Sequence, residues 1–313
     1  MQAGVLAGSR AGSVGQLLCN TNDGGIVMTD RNFDLRPLTG ALGAEVKGLD
    51  LAQTLDAAVV SQLHDAWLQH QVLFFRDQTL TPSQLKAFAS LFGKPEILPF
   101  IPMELRVKEE PDIEIFEQTA WMNNAPPTDT IHIDVSSRDI PSKAAVLLCV
   151  ETPEAGGDTI WVNMYDAYDR LSDSMKELLK GKTATFPKLD FAMVERFISA
   201  EPAMKQMLDM FWQPPINHPV VHTHPETGKT ALFVDPFRTR QINDLEKDES
   251  EAILQFLRKH IAKPEFQCRW NWEPRSVCIW DNRCTAHKRI DDHFEGRRLF
   301  HRASIGADEP PRL

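Results

Sequence analysis

From Phe33 onward, apolar and polar positions fall into recognisable periods. The stretch FDLRPLTGALGAEVKGLDL (33–51) alternates and is punctuated by glycine, which predicts short strands and turns. AAVVSQLHDAWLQH (57–70) places Val60, Leu63, Trp67 and Leu68 at helical spacing. QVLFFR (71–76) reads as a short buried strand. Thr81-Pro82 then opens a helix, with threonine as N-cap and proline in the first turn, and Gly93 closes it. Prolines at 95, 99, 102, 111, 126 and 127 make 94–130 a long loop region with few regular elements. AAVLLCVE (144–151) and TIWVN (159–163) are strands flanking a Gly156-Gly157-Asp158 turn. Helices are predicted at about 166–180, 193–212 and 248–262. The last third returns to strands: HPVVHTH, TALFV, FQCRWNW, SVCIWDN and RRLFHRASI. Strands concentrated late, with helices early and inserted, predict an α+β chain. Its core would be a β-sandwich or jelly roll with helices packed outside.

Length and composition narrow the setting. At 313 residues, 42% hydrophobic and 25% charged, the chain suits one large domain with insertions. Residues 1–27 are rich in Gly, Ala and Ser and carry no pattern, so a disordered extension is expected there, with one domain over 28–313. A net charge of -10 offers no footprint for nucleic acid or acidic membranes, and no apolar run is long enough to span a bilayer. Five scattered cysteines without a CxxC suggest neither a disulfide framework nor a zinc knuckle, which fits the reducing cytoplasm. Cys284 reads as a small buried hydrophobe.

The candidate chemistry starts at Ile131-His132-Ile133-Asp134-Val135. Read as a strand, IHIDV sets an imidazole and a carboxylate on one face, with the isoleucines on the packed side. Further on, the strand CIWD ends in a polar turn that delivers His287. Two histidines and one carboxylate suit Fe(II) with three positions open, although hydrolytic zinc also uses three ligands. Thr159 follows His132 by 27 positions and Arg298 follows His287 by 11. A guanidinium fork with a nearby hydroxyl suits the far carboxylate of a dicarboxylate cosubstrate.

Together the stretches QVLFFRDQTLTPSQLKAFASLFG, IHIDVS, ETPEAGGDTIWVN, HPVV-x-THPETGKTALFV, KPEFQCRWNW, WDNRCTAH and GRRLFHRASIG resemble the taurine dioxygenase (TauD/TfdA) family, in family order over about 33–307. The resemblance implies a double-stranded β-helix (jelly-roll) core with flanking and inserted helices. It implies His132, Asp134 and His287 as iron ligands, and Thr159 and Arg298 as anchors of 2-oxoglutarate. The implied reaction uses O2 to hydroxylate an unactivated C–H while 2-oxoglutarate becomes succinate and CO2. Halogenases of similar fold need Gly or Ala where this chain has Asp134, so halogenation is not expected.

Departures bear on the substrate. Taurine-specific members carry a His and a Tyr after the FG that ends the second helix, and those positions fall here on Leu98 and Ile101. The residue before the first histidine ligand is commonly Trp, and here it is Ile131. Arg302, four after Arg298 and on the same strand face, matches the residue that binds the substrate anion; the alternative is a structural ion pair. The expected substrate is therefore a small anion (sulfonate, sulfate ester or carboxylate) with a more apolar body, and not taurine. Desaturation by the same iron chemistry, and a non-catalytic jelly-roll binding protein, are the alternatives. Self-association into a homo-oligomer fits the family. His218, His222 and His224 read as structural, His293 as loop surface, and His301 as pointing away from the site. Trp270, Trp272 and Trp280 read as core aromatics.

Overall fold

The computed structural model describes residues 32–99, 101–118, 130–187, 214–290, 292 and 295–312. In chain order the elements begin with β1 (Asp34–Pro37), β2 (Ala44–Lys47), α1 (Ala57–His70), β3 (Val72–Phe75) and α2 (Pro82–Ser90). Then come β4 (Arg106–Val107), β5 (Glu110–Gln118), β6 (Ala144–Glu151), β7 (Thr159–Asn163), α3 (Met164–Asp169) and α4 (Asp173–Leu179). Next are β8 (Thr183–Phe186), β9 (Ile216–Pro219), β10 (Val221–Thr223), β11 (Thr230–Leu232), β12 (Gln241–Ile242) and α5 (Lys247–Ile261). The chain closes with β13 (Gln267–Trp270), β14 (Val277–Asp281), β15 (Thr285–Arg289) and β16 (Arg298–Ile305).

Two sheets build the frame. The larger has the order β1-β2-β3-β14-β6-β16-β5-β4, and the smaller is β13-β7-β15. Alternation along the large-sheet strands sorts their side chains. Leu73, Phe75, Val146, Val277, Ile279, Ala303 and Ile305 pack with Leu63 and Trp67 of α1 and Leu85 and Phe88 of α2. The alternate set, Val72, Phe74, Ala145, Cys149, Cys278, Trp280 and Phe300, packs with Trp161, Cys268 and Trp270 of the small sheet. Phe74 meets Trp161 edge-on at 5.2 Å and stacks on Trp270 at 4.3 Å. The outer side of the small sheet, with Val162 and Ala286, packs against α3, α5 and the β12-β8-β9 sheet.

Local signals account for the helices. Thr81 and Gln84 close a capping box on α2 with Pro82 in its first turn, as the sequence predicts. Beyond that helix Gly93 passes so near β16 that an added Cβ would sit 2.8 Å from Ile305 Cγ2. The helix expected over 166–180 is two. Asn163 caps α3, and Ser172 starts α4 afresh after a break at Arg170 and Leu171. The helix expected over 193–212 lies outside the described residues, as do Cys19, His293 and the 1–27 extension.

Two expectations are corrected. The region read as a long loop with few regular elements, 94–130, holds a nine-residue strand: β5 pairs with β16 from Gln118↔Arg298 to Ile113↔Ala303. Pro95, Pro99, Pro102 and Pro111 sit before or at the start of β5, and DIEIF alternates behind them. IHIDV is not a strand either. Its ladder contact is the single bridge His132↔His287, and Val135 turns the chain at φ 55°.

Phe74 anchors the packing between the sheets, so Phe74→Ala should cost about 3–5 kcal/mol. A denaturant titration checks this; a loss below about 1 kcal/mol would contradict the inter-sheet contact as a main source of stability.

Candidate active site

The site forms where the small sheet ends and a turn is pinned onto it. His132 N donates to His287 O at 2.9 Å, and His287 N donates to His132 O at 2.8 Å. This pair of bonds adds one residue of the turn to the edge of β15. The turn is then held from behind by Asp235, which is wholly buried. Asp235 Oδ2 accepts from Ile133 N at 3.1 Å and Ser136 Oγ at 2.6 Å. Its Oδ1 accepts from Phe237 N and Arg238 N, both at 2.9 Å. Ile131 and Ile133 enter the core, as expected, so His132 and Asp134 turn the other way.

Asp134 Oδ1 lies 3.7 Å from His132 Nε2 and 3.8 Å from His287 Nε2. The three ligand-capable atoms are all within 4.8 Å of one another. His132 Nδ1 donates to Thr130 O at 2.8 Å, which leaves the lone pair on Nε2. Burial, with His132 beside it, holds His287 down to about 3, so its imidazole is neutral. Burial pushes Asp134 up, but Arg302 and His287 more than reverse this, and its carboxyl lies far below the ordinary range. Two imidazoles and a carboxylate are a donor set for a divalent transition metal such as Fe(II).

A second polar group lies along the same inner face. His287 pairs across the sheet with Trp161, and Arg289 with Thr159. Two register positions are about 7 Å along a strand, comparable to the length of 2-oxoglutarate. Thr159 Oγ1 accepts from Trp272 Nε1 at 2.9 Å and from Arg298 Nη2 at 3.4 Å. Arg298 also donates to Gly157 O at 3.0 Å and lies over Phe300 at 4.1 Å. Burial and the neighbouring Arg289 lower Arg298 to about 9, so this corner favours an anion.

Arg302 is more committed than an open anion site. Its Nε donates to Glu114 Oε2 at 2.7 Å and its Nη1 to Asp134 Oδ2 at 3.2 Å. Leu98 is fully buried, and Ile101 is partly so. Both main-chain carbonyls accept from Arg106, Leu98 at 2.6 Å and Ile101 at 3.3 Å. Arg106 pairs across the sheet with Glu114, so this loop is tied to the Arg302 end of the face. His301 points to the opposite side of β16 from Arg298 and Arg302, as its parity predicts.

Sequence reasoning missed Asp235, Glu114 and Arg289. Asp235 sits in an Asp-Pro turn with no local sign of its long-range bonds. Glu114 and Arg289 become visible only through strand register.

The other polar cluster, His224–Asp281–Cys284, has different chemistry. Asp281 takes Nε and Nη2 of Arg283 at 2.8 and 2.6 Å and His224 Nε2 at 3.0 Å. Burial drives the Cys284 thiol well above its ordinary value. A carboxylate already neutralised by Arg283 and a protonated thiol make a structural network. His218 and His222 donate to the carbonyls of Arg138 and Arg283 and are structural too. Trp270, Trp272 and Trp280 lie in the core between the sheets.

Comparison with known proteins places the chain in a family. The family model for the taurine catabolism dioxygenase TauD, TfdA family matches residues 34–304. An alkylsulfatase of Acinetobacter baylyi is 32% identical over 282 residues, spanning 89% of this chain and 86% of its own. An alpha-ketoglutarate-dependent sulfate ester dioxygenase of Pseudomonas putida is 31% identical over 285 residues, spanning 89% of this chain and 91% of its own. The crystal structure of a taurine dioxygenase from Burkholderia xenovorans superposes with a TM-score of 0.75 at 31% identity, covering 89% of this chain and 92% of that one.

Arg283→Met should leave Asp281 buried without its main partner and cost about 3–5 kcal/mol in a denaturation experiment. Folded Arg283→Met should bind Mn(II) as the wild type does. Loss of Mn(II) would instead place a metal at the Asp281 cluster.

Proposed function

The chain belongs to the TauD, TfdA dioxygenase family, and from that premise we propose that it oxidises a small organic anion at a carbon beside the anionic group. It is an iron- and 2-oxoglutarate-dependent dioxygenase that releases succinate and CO2. One observation carries the assignment of residues: a His–Asp–His set and a buried Arg–Thr pair share one inner face, two register positions apart.

On this reading His132, Asp134 and His287 hold Fe(II), and Thr159 and Arg298 bind the far carboxylate of 2-oxoglutarate. The iron, with 2-oxoglutarate and O2, supplies the oxidant that converts C–H to C–OH. The protein's own work is positional. Thr130 sets the His132 tautomer, and Trp161 and Trp280 flank the His287 ring at 6.4 and 5.0 Å. Trp272 fixes the Thr159 hydroxyl. Arg302 Nη2, which makes no hydrogen bond among the described residues, is the donor left for a substrate oxygen. Buried Leu98 and the neighbouring Ile101 favour an apolar body near that end.

The relatives support alkyl sulfate esters as the leading class, ahead of sulfonates and carboxylates. Hydroxylation of the carbon bearing a sulfate ester oxygen gives a product that collapses to an aldehyde and sulfate. We read the two facing sheets as a double-stranded β-helix and 28–313 as one domain. We place the enzyme in the cytoplasm, consistent with four buried, free cysteines among the described residues and no helix there long and apolar enough to cross a membrane.

Succinate release from 2-oxoglutarate under air with Fe(II) and ascorbate tests this over alkyl sulfates, alkyl sulfonates, aryloxyalkanoates and taurine. Alkyl sulfates should stimulate turnover most and taurine least. Product analysis for aldehyde and sulfate separates hydroxylation from desaturation. Asp134→Ala should abolish product. Arg298→Ala should raise the 2-oxoglutarate KM at least tenfold, the scale of a lost charge-assisted pair. An unchanged KM in Arg298→Ala would remove that residue from the cosubstrate site.

A further inference from the structure

Glu114 is a buried carboxylate with no place in the chemistry above. It lies in the middle of β5, where register sets it opposite Arg302 on β16 and Arg106 on β4. Its side chain is 0% exposed. Oε2 accepts from Arg302 Nε at 2.7 Å, while Oε1 is buried with no hydrogen-bond partner among the described residues. Arg106 does not hydrogen-bond it: that guanidinium donates to the carbonyls of Leu98, Ile101 and Pro111. A carboxylate on a buried strand is costly, and an apolar residue there would be the ordinary choice.

What Glu114 touches explains its presence. Arg302 is shared between Glu114 and Asp134, whose Oδ2 it binds at 3.2 Å. A guanidinium this close to a triad carboxylate has two opposed effects. It fixes Oδ2, so that Oδ1 stays directed at His132 and His287. Its charge also satisfies Asp134 and repels a dication in the same place. A second carboxylate on Arg302 keeps the first effect and cancels the second. Phe116, stacked on the guanidinium at 4.2 Å, holds Arg302 in this pose without adding charge.

We propose that Glu114 is a positioning residue for the metal centre: as counter-ion of Arg302, it lets Arg302 orient Asp134 while leaving the Asp134 charge available to a divalent cation. This rests on the reading of His132, Asp134 and His287 as metal ligands. It also makes Arg302 part of the metal site's support as well as a donor for substrate. The arrangement is a chain of three charges, Glu114–Arg302–Asp134, running from β5 across β16 to the pinned turn.

Mn(II) binding to metal-free protein, followed by titration calorimetry, tests this. Glu114→Gln keeps the shape and an acceptor for Arg302 but removes the charge. Its Mn(II) affinity should fall about tenfold, the scale seen when groups behind metal ligands are changed. Glu114→Gln combined with Arg302→Gln should recover most of that loss, because the uncompensated cation is gone. Glu114→Asp, which retains the charge, should bind more tightly than Glu114→Gln and serves if the amide variant folds poorly. A lower melting temperature with Mn(II) affinity unchanged would make Glu114 a structural ion pair and overturn the proposal. Wild-type protein that binds no Mn(II), or a His287→Ala variant that binds it fully, would remove the metal-site reading instead, a separable failure.

Discussion

The antiparallel bridge between His132 and His287 is the constraint on which the site depends. Two main-chain hydrogen bonds, 2.9 and 2.8 Å, fasten an irregular turn to the edge of β15. Without them the imidazoles would belong to unrelated segments 155 positions apart (132 to 287). With them the rings sit 4.4 Å apart and Asp134, two residues along the turn, reaches both. Asp235 holds the turn from the core side by accepting from Ile133 N and Ser136 Oγ, while Phe237 N and Arg238 N of its own loop fix the carboxylate. On the proposed reading as metal ligands, side chains held this way would be organised before any metal arrives, and less ordering entropy would be lost on binding.

Buried charge decides the rest of the layout. The inner face between the sheets is aromatic over most of its area, and its polar residues gather at one end. There each charge is bound to a specific partner: Asp134 to Arg302, Arg302 to Glu114, and Arg298 to Thr159 and the Gly157 carbonyl. Charges buried in a low-dielectric wall persist only with such partners or with a bound ion. Asp281 follows the same rule away from the site, where Arg283 and His224 satisfy it and leave no demand for a metal. The contrast between Asp134 and Asp281 is therefore one of geometry. Asp134 keeps one oxygen turned toward two imidazole nitrogens, whereas both oxygens of Asp281 are engaged by Arg283.

Much of this was legible in the chain. The apolar run AAVLLCVE and the stretches SVCIWDN and RRLFHRASI predicted strands that the structure contains, and Thr81-Pro82 announced α2. His132, Asp134, His287, Thr159 and Arg298 stood out in the sequence because each lies inside a specific motif, and the structure brings them to one inner face. Proline density hid β5, since alternation in DIEIF is short and prolines dominate the window around it. IHIDV looked like a strand because its β-branched residues alternate, yet the bonds from Asp235 and the positive φ at Val135 bend it into a turn. Glu114 could not be read at all. Its meaning lies in a cross-strand pairing with Arg302, 188 positions away, and register of that kind is a tertiary fact.

The most direct measurement is an anaerobic titration of metal-free protein with Fe(II) and then 2-oxoglutarate, watched by visible absorption. One Fe(II) per chain should bind. A charge-transfer band should grow only when 2-oxoglutarate is added, and it should be absent in His287→Ala. Absence of the band in the wild type, or its persistence in His287→Ala, would contradict the assignment of this end of the inner face as the iron and 2-oxoglutarate site.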